Sequence, residues 1–200
     1  MTEEKKSLFW HRVKLLSFIG VFLAPFIGGW LALYVFEIKP ESANYGVLVQ
    51  PVKKLDWPVM RSTSGEIYEG GFGRKWTFLM ISRSACTEQC QSNLFYMRQI
   101  RTLLNRDIDR LQNVFITASA LDAEMAEFLK DYPDLLVIEN FRDESLFKQF
   151  STKESPQVGD DGRLFLIDPD QNYMMYYPAE NDEHRILEDI RKLMKLSKIG

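Results

Sequence analysis

The longest apolar stretch covers residues 15–36, LLSFIGVFLAPFIGGWLALYVF, and holds no charged side chain. A helix needs about 20 such residues to cross the hydrocarbon of a bilayer. The pattern therefore predicts one transmembrane helix over 15–36, after a short polar N-terminus at 1–14. Residues 37–65 read as a tether and a leading strand segment: 37–45 is polar with Pro40, and 47–49 is a short strand candidate. From residue 66 onward two patterns alternate. WTFLMIS (76–82), VFITA (114–118), LLVI (135–138) and LFLI (164–167) are short unbroken apolar runs of buried-strand type. Between them, apolar residues recur at helical spacing: Leu94, Met97, Ile100 and Leu104; then Met125, Phe128 and Leu129, stopped by Tyr132-Pro133; then Leu146, Phe147 and Phe150. Asp168-Pro169-Asp170-Gln171-Asn172 has the residues of a hairpin turn leading into a strand at 173–177. A last helix is expected from Asn181, with Ile186, Leu187, Ile190, Leu193 and Met194 as its core stripe.

Strands alternating with helices imply an α/β domain over 66–200 with a central, partly parallel sheet flanked by helices. The closing hairpin is expected to add an antiparallel edge. Composition agrees with a globular body, at 46% hydrophobic and 26% charged residues. The net charge of -3 argues against a nucleic-acid partner, which would need a large basic surface. The charge is divided unevenly. Lys5, Lys6, Arg12 and Lys14 precede the apolar run and only Lys39 follows it closely, so the positive-inside rule leaves the N-terminus in the cytoplasm. The run is longer than the core of a signal peptide and no A-x-A-like site follows it, so an uncleaved single-pass anchor is expected. The body then lies on the far side of the inner membrane, in the periplasm, where disulfides persist.

The chain has two cysteines, Cys86 and Cys90, in the motif Cys-Thr-Glu-Gln-Cys between the run 76–82 and the following helical stripe. That position in that order of elements suggests a thioredoxin-like fold. Two cysteines four apart on a helix have Cα atoms roughly 6 Å apart, within disulfide range. A helix N-terminus lowers a thiol's pKa; Arg83 would add to that effect and Glu88 oppose it. So small a ring constrains the unfolded chain little, which makes stability a weak motive for the bond. Redox or metal chemistry is the expectation, and an inert disulfide is the alternative. In the redox reading Cys86, before the helix, is the attacking sulfur and Cys90 resolves the mixed disulfide.

The segment Phe72-Gly73-Arg74-Lys75-Trp76-Thr77-Phe78-Leu79-Met80 leads into the cysteine pair, and LFLIDPD (164–170) follows far downstream. With these segments the chain resembles the Sco/SenC family of membrane-anchored thioredoxin-like proteins of cytochrome c oxidase assembly, over roughly 67–200 plus the anchor. The resemblance implies thiol–disulfide exchange or copper handling for the oxidase's dinuclear copper site. It also implies an oxidase subunit or its copper chaperone as partner. Two departures matter. Thr87 and Gln91 stand where the family usually has prolines. Asp160 aligns with the family's third copper ligand, a histidine. Carboxylate is a hard ligand and a poor substitute for imidazole at Cu(I), whereas the thiolates of Cys86 and Cys90 still suit that ion. Asp160 is expected either to form a turn with its glycine neighbours or to relay a proton during exchange. His11 falls on the cytoplasmic side and His184 on the polar face of the last helix, while Met80 and Met97 read as packing. A thiol–disulfide oxidoreductase, a copper(I) carrier and a non-catalytic assembly scaffold are the functions to weigh. Peroxiredoxin chemistry is weaker: Thr87 and Cys90 match its Thr-x-x-Cys fragment, but Arg83 stands where that motif has proline.

Overall fold

The computed structural model describes residues 3–34, 44–152, 158–159, 162–179 and 182–197. It divides into two units, Met1–Ala43 and Asn44–Gly200. In the first, a single helix α1 (Glu3–Tyr34) runs unbroken through Pro25. Its window Trp10–Leu31 is long and apolar enough to cross a membrane, and none of it is buried. The helix starts well before residue 15 because the charged residues ahead of the apolar run are themselves good helix formers. Residues 35 and 36 of the expected span lie outside the described residues.

The second unit is built on a six-stranded sheet. Its strands are β1 (Val47–Lys54), β4 (Trp76–Ser82), β5 (Leu111–Thr117), β6 (Leu135–Ile138), β7 (Leu164–Ile167) and β8 (Asn172–Tyr177), in the order β1-β8-β7-β4-β5-β6. A small separate pair, β2 (Met60–Arg61) with β3 (Ile67–Tyr68), lies between β1 and β4 in the chain. The helices are α2 (Glu88–Leu103), α3 (Ala123–Leu129), α4 (Glu144–Gln149) and α5 (Glu183–Leu196), with a 3-10 turn at Asn105–Arg110. β4, β5 and β6 are parallel; β7, β8 and β1 join antiparallel.

β4 is buried along its whole length, as a strand covered on both faces must be. Phe78 and Met80 point into one core with Leu94, Met97, Ile100, Ile186 and Ile190 from α2 and α5. Leu79 and Ile81 point into another with Trp57, Phe72, Phe147 and Phe150. The expected hairpin β7–β8 exists, but it is interior to the sheet rather than its edge. β1 covers the outer side of β8, pairing Val47 with Tyr176 and Lys54 with Asn172, so β8's backbone groups are not left unpaired. The compact unit consequently begins at Asn44, upstream of residue 66. α2 begins six residues before Leu94, the first residue of its expected apolar stripe, and thereby takes in Cys90.

Candidate functional site

β4 ends at Ser82 and α2 begins at Glu88, so the loop between them delivers Cys86 to the helix N-terminus. Thr87 is the N-cap, with extended backbone and no side-chain cap bond. Cys86 and Cys90 are joined in a disulfide with Cα atoms 5.3 Å apart, closer than two positions one turn apart within a helix because Cys86 is still in the loop. The two sulfurs differ in access: Cys90 is 7% exposed and Cys86 is half-buried.

Each cysteine faces its own cavity. Cys86 lines one with Gln91, Thr117, Ser119, Asp122 and Glu124. Cys90 lines another, of about 250 Å³, with Met80, Ser82, Thr87, Gly159 and Gly162. Val158, Gly159 and Gly162, ahead of β7, are held there by α2 and by the end of β4. Asn93, fully buried on α2, donates from Nδ2 to the Gly162 carbonyl at 2.8 Å. Arg83 donates from its backbone N–H to the Gly159 carbonyl at 3.1 Å and from Nε to the Val158 carbonyl at 2.6 Å. Gly159 has φ +106°, and a Cβ there would come within 2.8 Å of Arg83 Cγ, so the approach requires glycine. Asp160 itself lies outside the described residues; Gly159 and Gly162, which flank its segment, are in the wall beside Cys90.

The charge around the disulfide differs from the sequence-based expectation in one respect. The Arg83 guanidinium is held by both carboxylate oxygens of Glu144 on α4, with Nη2 at 2.8 Å from Oε2, and lies 4.7 Å above the Phe147 ring. That hydrogen bond holds the Glu144 carboxyl below its ordinary pKa. The arginine's charge is thus matched by Glu144 and adds little for a thiolate; the start of α2 is the favourable element left. His184 is exposed, and Met97 is fully buried in the core. Met80 is buried as well, yet it shares the Cys90 cavity. Among the described residues no three His, Cys, Asp or Glu side chains cluster as metal ligands. Once reduced, the two thiolates are soft donors of the kind that suits Cu(I), and Met80 lines the cavity of Cys90 alone.

Sequence reasoning missed Asn93 and the glycines around Asp160. Asn93 carried a signal: it interrupts the apolar face of α2, three residues after Cys90 and four before Met97. The glycines signalled a turn and nothing more, because their further role is a close approach between segments far apart in the chain.

Residues 76–197 match the family model described as the transmembrane-like, thioredoxin-like, C-terminal domain. The chain belongs to this family. No curated protein matches the sequence. Among solved structures, this thioredoxin-like chain is similar to yeast Sco1 at 22% identity and TM-score 0.57, over 72% of this chain and 99% of that one. It is also similar to Arabidopsis thaliana ScoI, solved with copper bound, at 15% identity and TM-score 0.56 over 76% and 99%. A third is BsSco, a Sco-family cytochrome c oxidase assembly protein with a disulfide switch, at 11% identity and TM-score 0.55 over 76% and 99%. The fold is Sco-like.

Proposed function

We propose that this protein is a membrane-anchored thiol–disulfide oxidoreductase of the periplasm that serves copper-site maturation during cytochrome c oxidase assembly. The observation that carries the chemistry is the asymmetric disulfide, with a half-exposed Cys86 before α2 and a buried Cys90 within its first turn. In the reduced form the Cys86 thiolate attacks a disulfide of the target, and one target thiolate leaves. Cys90 then attacks Cys86 Sγ, releasing the target's second thiolate and restoring the Cys86–Cys90 bond. Two electrons pass from the cysteine pair to the target, and an external thiol donor returns them. Asp160 is assigned the proton relay to the leaving sulfur; Gly159 and Gly162 in the Cys90 cavity support that assignment. The periplasmic side and cytoplasmic N-terminus rest on the lysines and arginine ahead of the apolar run. The process rests on the Sco-like fold, and an oxidase subunit or its copper chaperone is the partner this implies.

The test is mixed-disulfide trapping with the full chain in neutral detergent micelles. Cys90→Ser should accumulate a covalent adduct with a target peptide disulfide, while Cys86→Ser should form at least about a hundredfold less, given the near-absolute need for an accessible thiolate. Equal adduct from both variants would remove the assigned roles. A second reading, Cu(I) carriage, is favoured by Met80 beside Cys90. One equivalent of Cu(I) bound under anaerobic, reducing conditions and lost in Cys86→Ser would support it. Normal oxidase assembly by the Cys86→Ser, Cys90→Ser double variant would instead leave a scaffold.

A further inference from the structure

The cavity at Cys86 has an aromatic neighbour. Gln91, in the first turn of α2, lines both the Cys86 cavity and an open groove of about 460 Å³. The groove runs between α2 and α3, with Glu88, Phe95 and Tyr96 on one side and Phe128 and Tyr132 on the other. Phe95 is 45% exposed. Its ring lies 6.1 Å from Tyr96, and across the groove Phe128 lies 4.8 Å from Tyr132. Single apolar side chains are scattered over any protein surface, but two aromatic pairs lining one channel have the make-up of a recognition surface.

Charge is laid out along this groove with a direction. Both helices start beside the disulfide: Glu88 is in the first turn of α2, and Asp122 caps α3 in the wall of the Cys86 cavity. Glu88, Asp122 and Glu124 are all exposed around Cys86. Among the described residues none of the three is in an ion pair. The cations of this face lie farther along the helices. Arg98 is over the Tyr132 ring at 5.3 Å, and Lys130 pairs with Glu127. The reactive end of the groove is therefore acidic and its middle is aromatic.

A target that exchanges with Cys86 must lay a stretch of its own chain across that sulfur, and the groove continues from there. We propose that the α2–α3 groove seats the target chain next to its reactive cysteine, an inference that rests on the thiol–disulfide reading above. The occupant is an extended segment with lysine or arginine beside the cysteine and a large apolar side chain farther on. The basic side chain meets Glu88, Asp122 and Glu124, and the apolar one enters between Phe95 and Phe128. The spacing follows from the helix. Phe95 is seven positions beyond Glu88, about 10 Å along the axis, which an extended chain covers in about three residues.

The test uses the full chain carrying Cys90→Ser, reduced, in phosphatidylcholine nanodiscs, so that reaction stops at the mixed disulfide. The probe is a short peptide with one cysteine, a lysine beside it and a phenylalanine three residues to either side. Its cysteine is blocked as the thionitrobenzoate mixed disulfide. Cys86 Sγ attacks the peptide sulfur to form the new S–S bond, and thionitrobenzoate leaves with the electron pair of the old one; its absorbance gives the rate. Each rate is divided by that for the same leaving group on mercaptoethanol, which reports the reactivity of Cys86 alone. Serine in place of the phenylalanines should slow the peptide about tenfold, the effect of losing one large apolar contact. Glutamate in place of lysine should slow it about threefold at low salt, and that difference should fade as salt rises. In Phe95→Ser the phenylalanine and serine peptides should react alike, and in Glu88→Lys the preference for lysine should disappear. Both side chains are exposed, so neither change opens the core. Equal rates for all peptides, with a normal mercaptoethanol rate, would overturn the groove and leave the thiol reading standing. No reaction with either reagent would remove the thiol reading and the groove with it. A chain that sediments as a dimer until Phe95→Ser separates it would give this face to a second copy and overturn the proposal.

Discussion

Arg83 shows how one side chain can be legible as a charge and illegible as a contact. Its place three residues before Cys86 suggested support for a thiolate. The folded chain instead spends its donors on Val158 and Glu144 and its flat face on Phe147. Its work is to hold α4 and the loop before β7 against the end of β4. That role has a pH signature. The Glu144 carboxyl is held below its ordinary value by Arg83, so its folded pKa lies under its unfolded one. The stability it contributes is present above the unfolded value, about 4.3 for glutamate, and is lost as pH falls through the lower folded value. Wild type should accordingly melt above Glu144→Gln at pH 7, and the gap should close as pH falls below about 4. A gap that widened on acidification would refute the assignment.

At the scale of elements, the apolar runs of β4 and β7 were readable residue for residue, because strands buried in the sheet's centre tolerate few polar interruptions; β6 was equally readable although it is an edge strand, its four residues all being apolar. β1 was legible only in its first three residues, 47–49, for the opposite reason. Its eight residues VLVQPVKK are mostly exposed and carry Pro51 and two lysines, the make-up of an edge strand. Nothing local in 50–54 distinguishes the rest of the strand from a tether; only its pairing with β8 does. The cysteine site was half legible in the same sense. Cys86 and Cys90 announced themselves by spacing and by the strand before them, whereas Asn93 and the Gly159–Gly162 wall depend on a contact across 69 residues. Helix ends were nearer the surface of the sequence. Asp182 caps α5, accepting from the backbone N–H of His184 at 3.1 Å and of Arg185 at 3.2 Å. Asp182→Ala should lower stability by about 1 kcal/mol, the ordinary worth of such a cap. Thermal or urea unfolding measures it, and an unchanged midpoint would mean that α5 is held by its buried stripe alone.

For the whole molecule, the question is what the apolar helix adds beyond attachment. If α1 serves only to hold the domain at a membrane, replacing residues 10–31 with an unrelated apolar helix of equal length should leave oxidase activity in membranes at the wild-type level, at matched abundance. Reduced activity with insertion intact would instead assign the helix a partner within the bilayer.

Where the chain enters the sheet domain has a further consequence. Tyr45 and Gly46 are pinned at the start of β1: the Gly46 N–H donates to buried Asp189 at 2.8 Å, and Arg185 lies 4.5 Å above the Tyr45 ring. Gly46 is the residue that permits it, since a Cβ would meet Tyr177 at 2.7 Å. Reading across the ladder, Val47 pairs with Tyr176, Tyr177 with Leu164, and Leu164 with Met80, near the end of β4 that leads to Cys86. The entrance to the sheet domain and the Cys86–Cys90 disulfide thus share one end of the sheet. A substitution at Tyr45 or Gly46 acts on the same strand ends as the disulfide, not on the opposite end of the sheet.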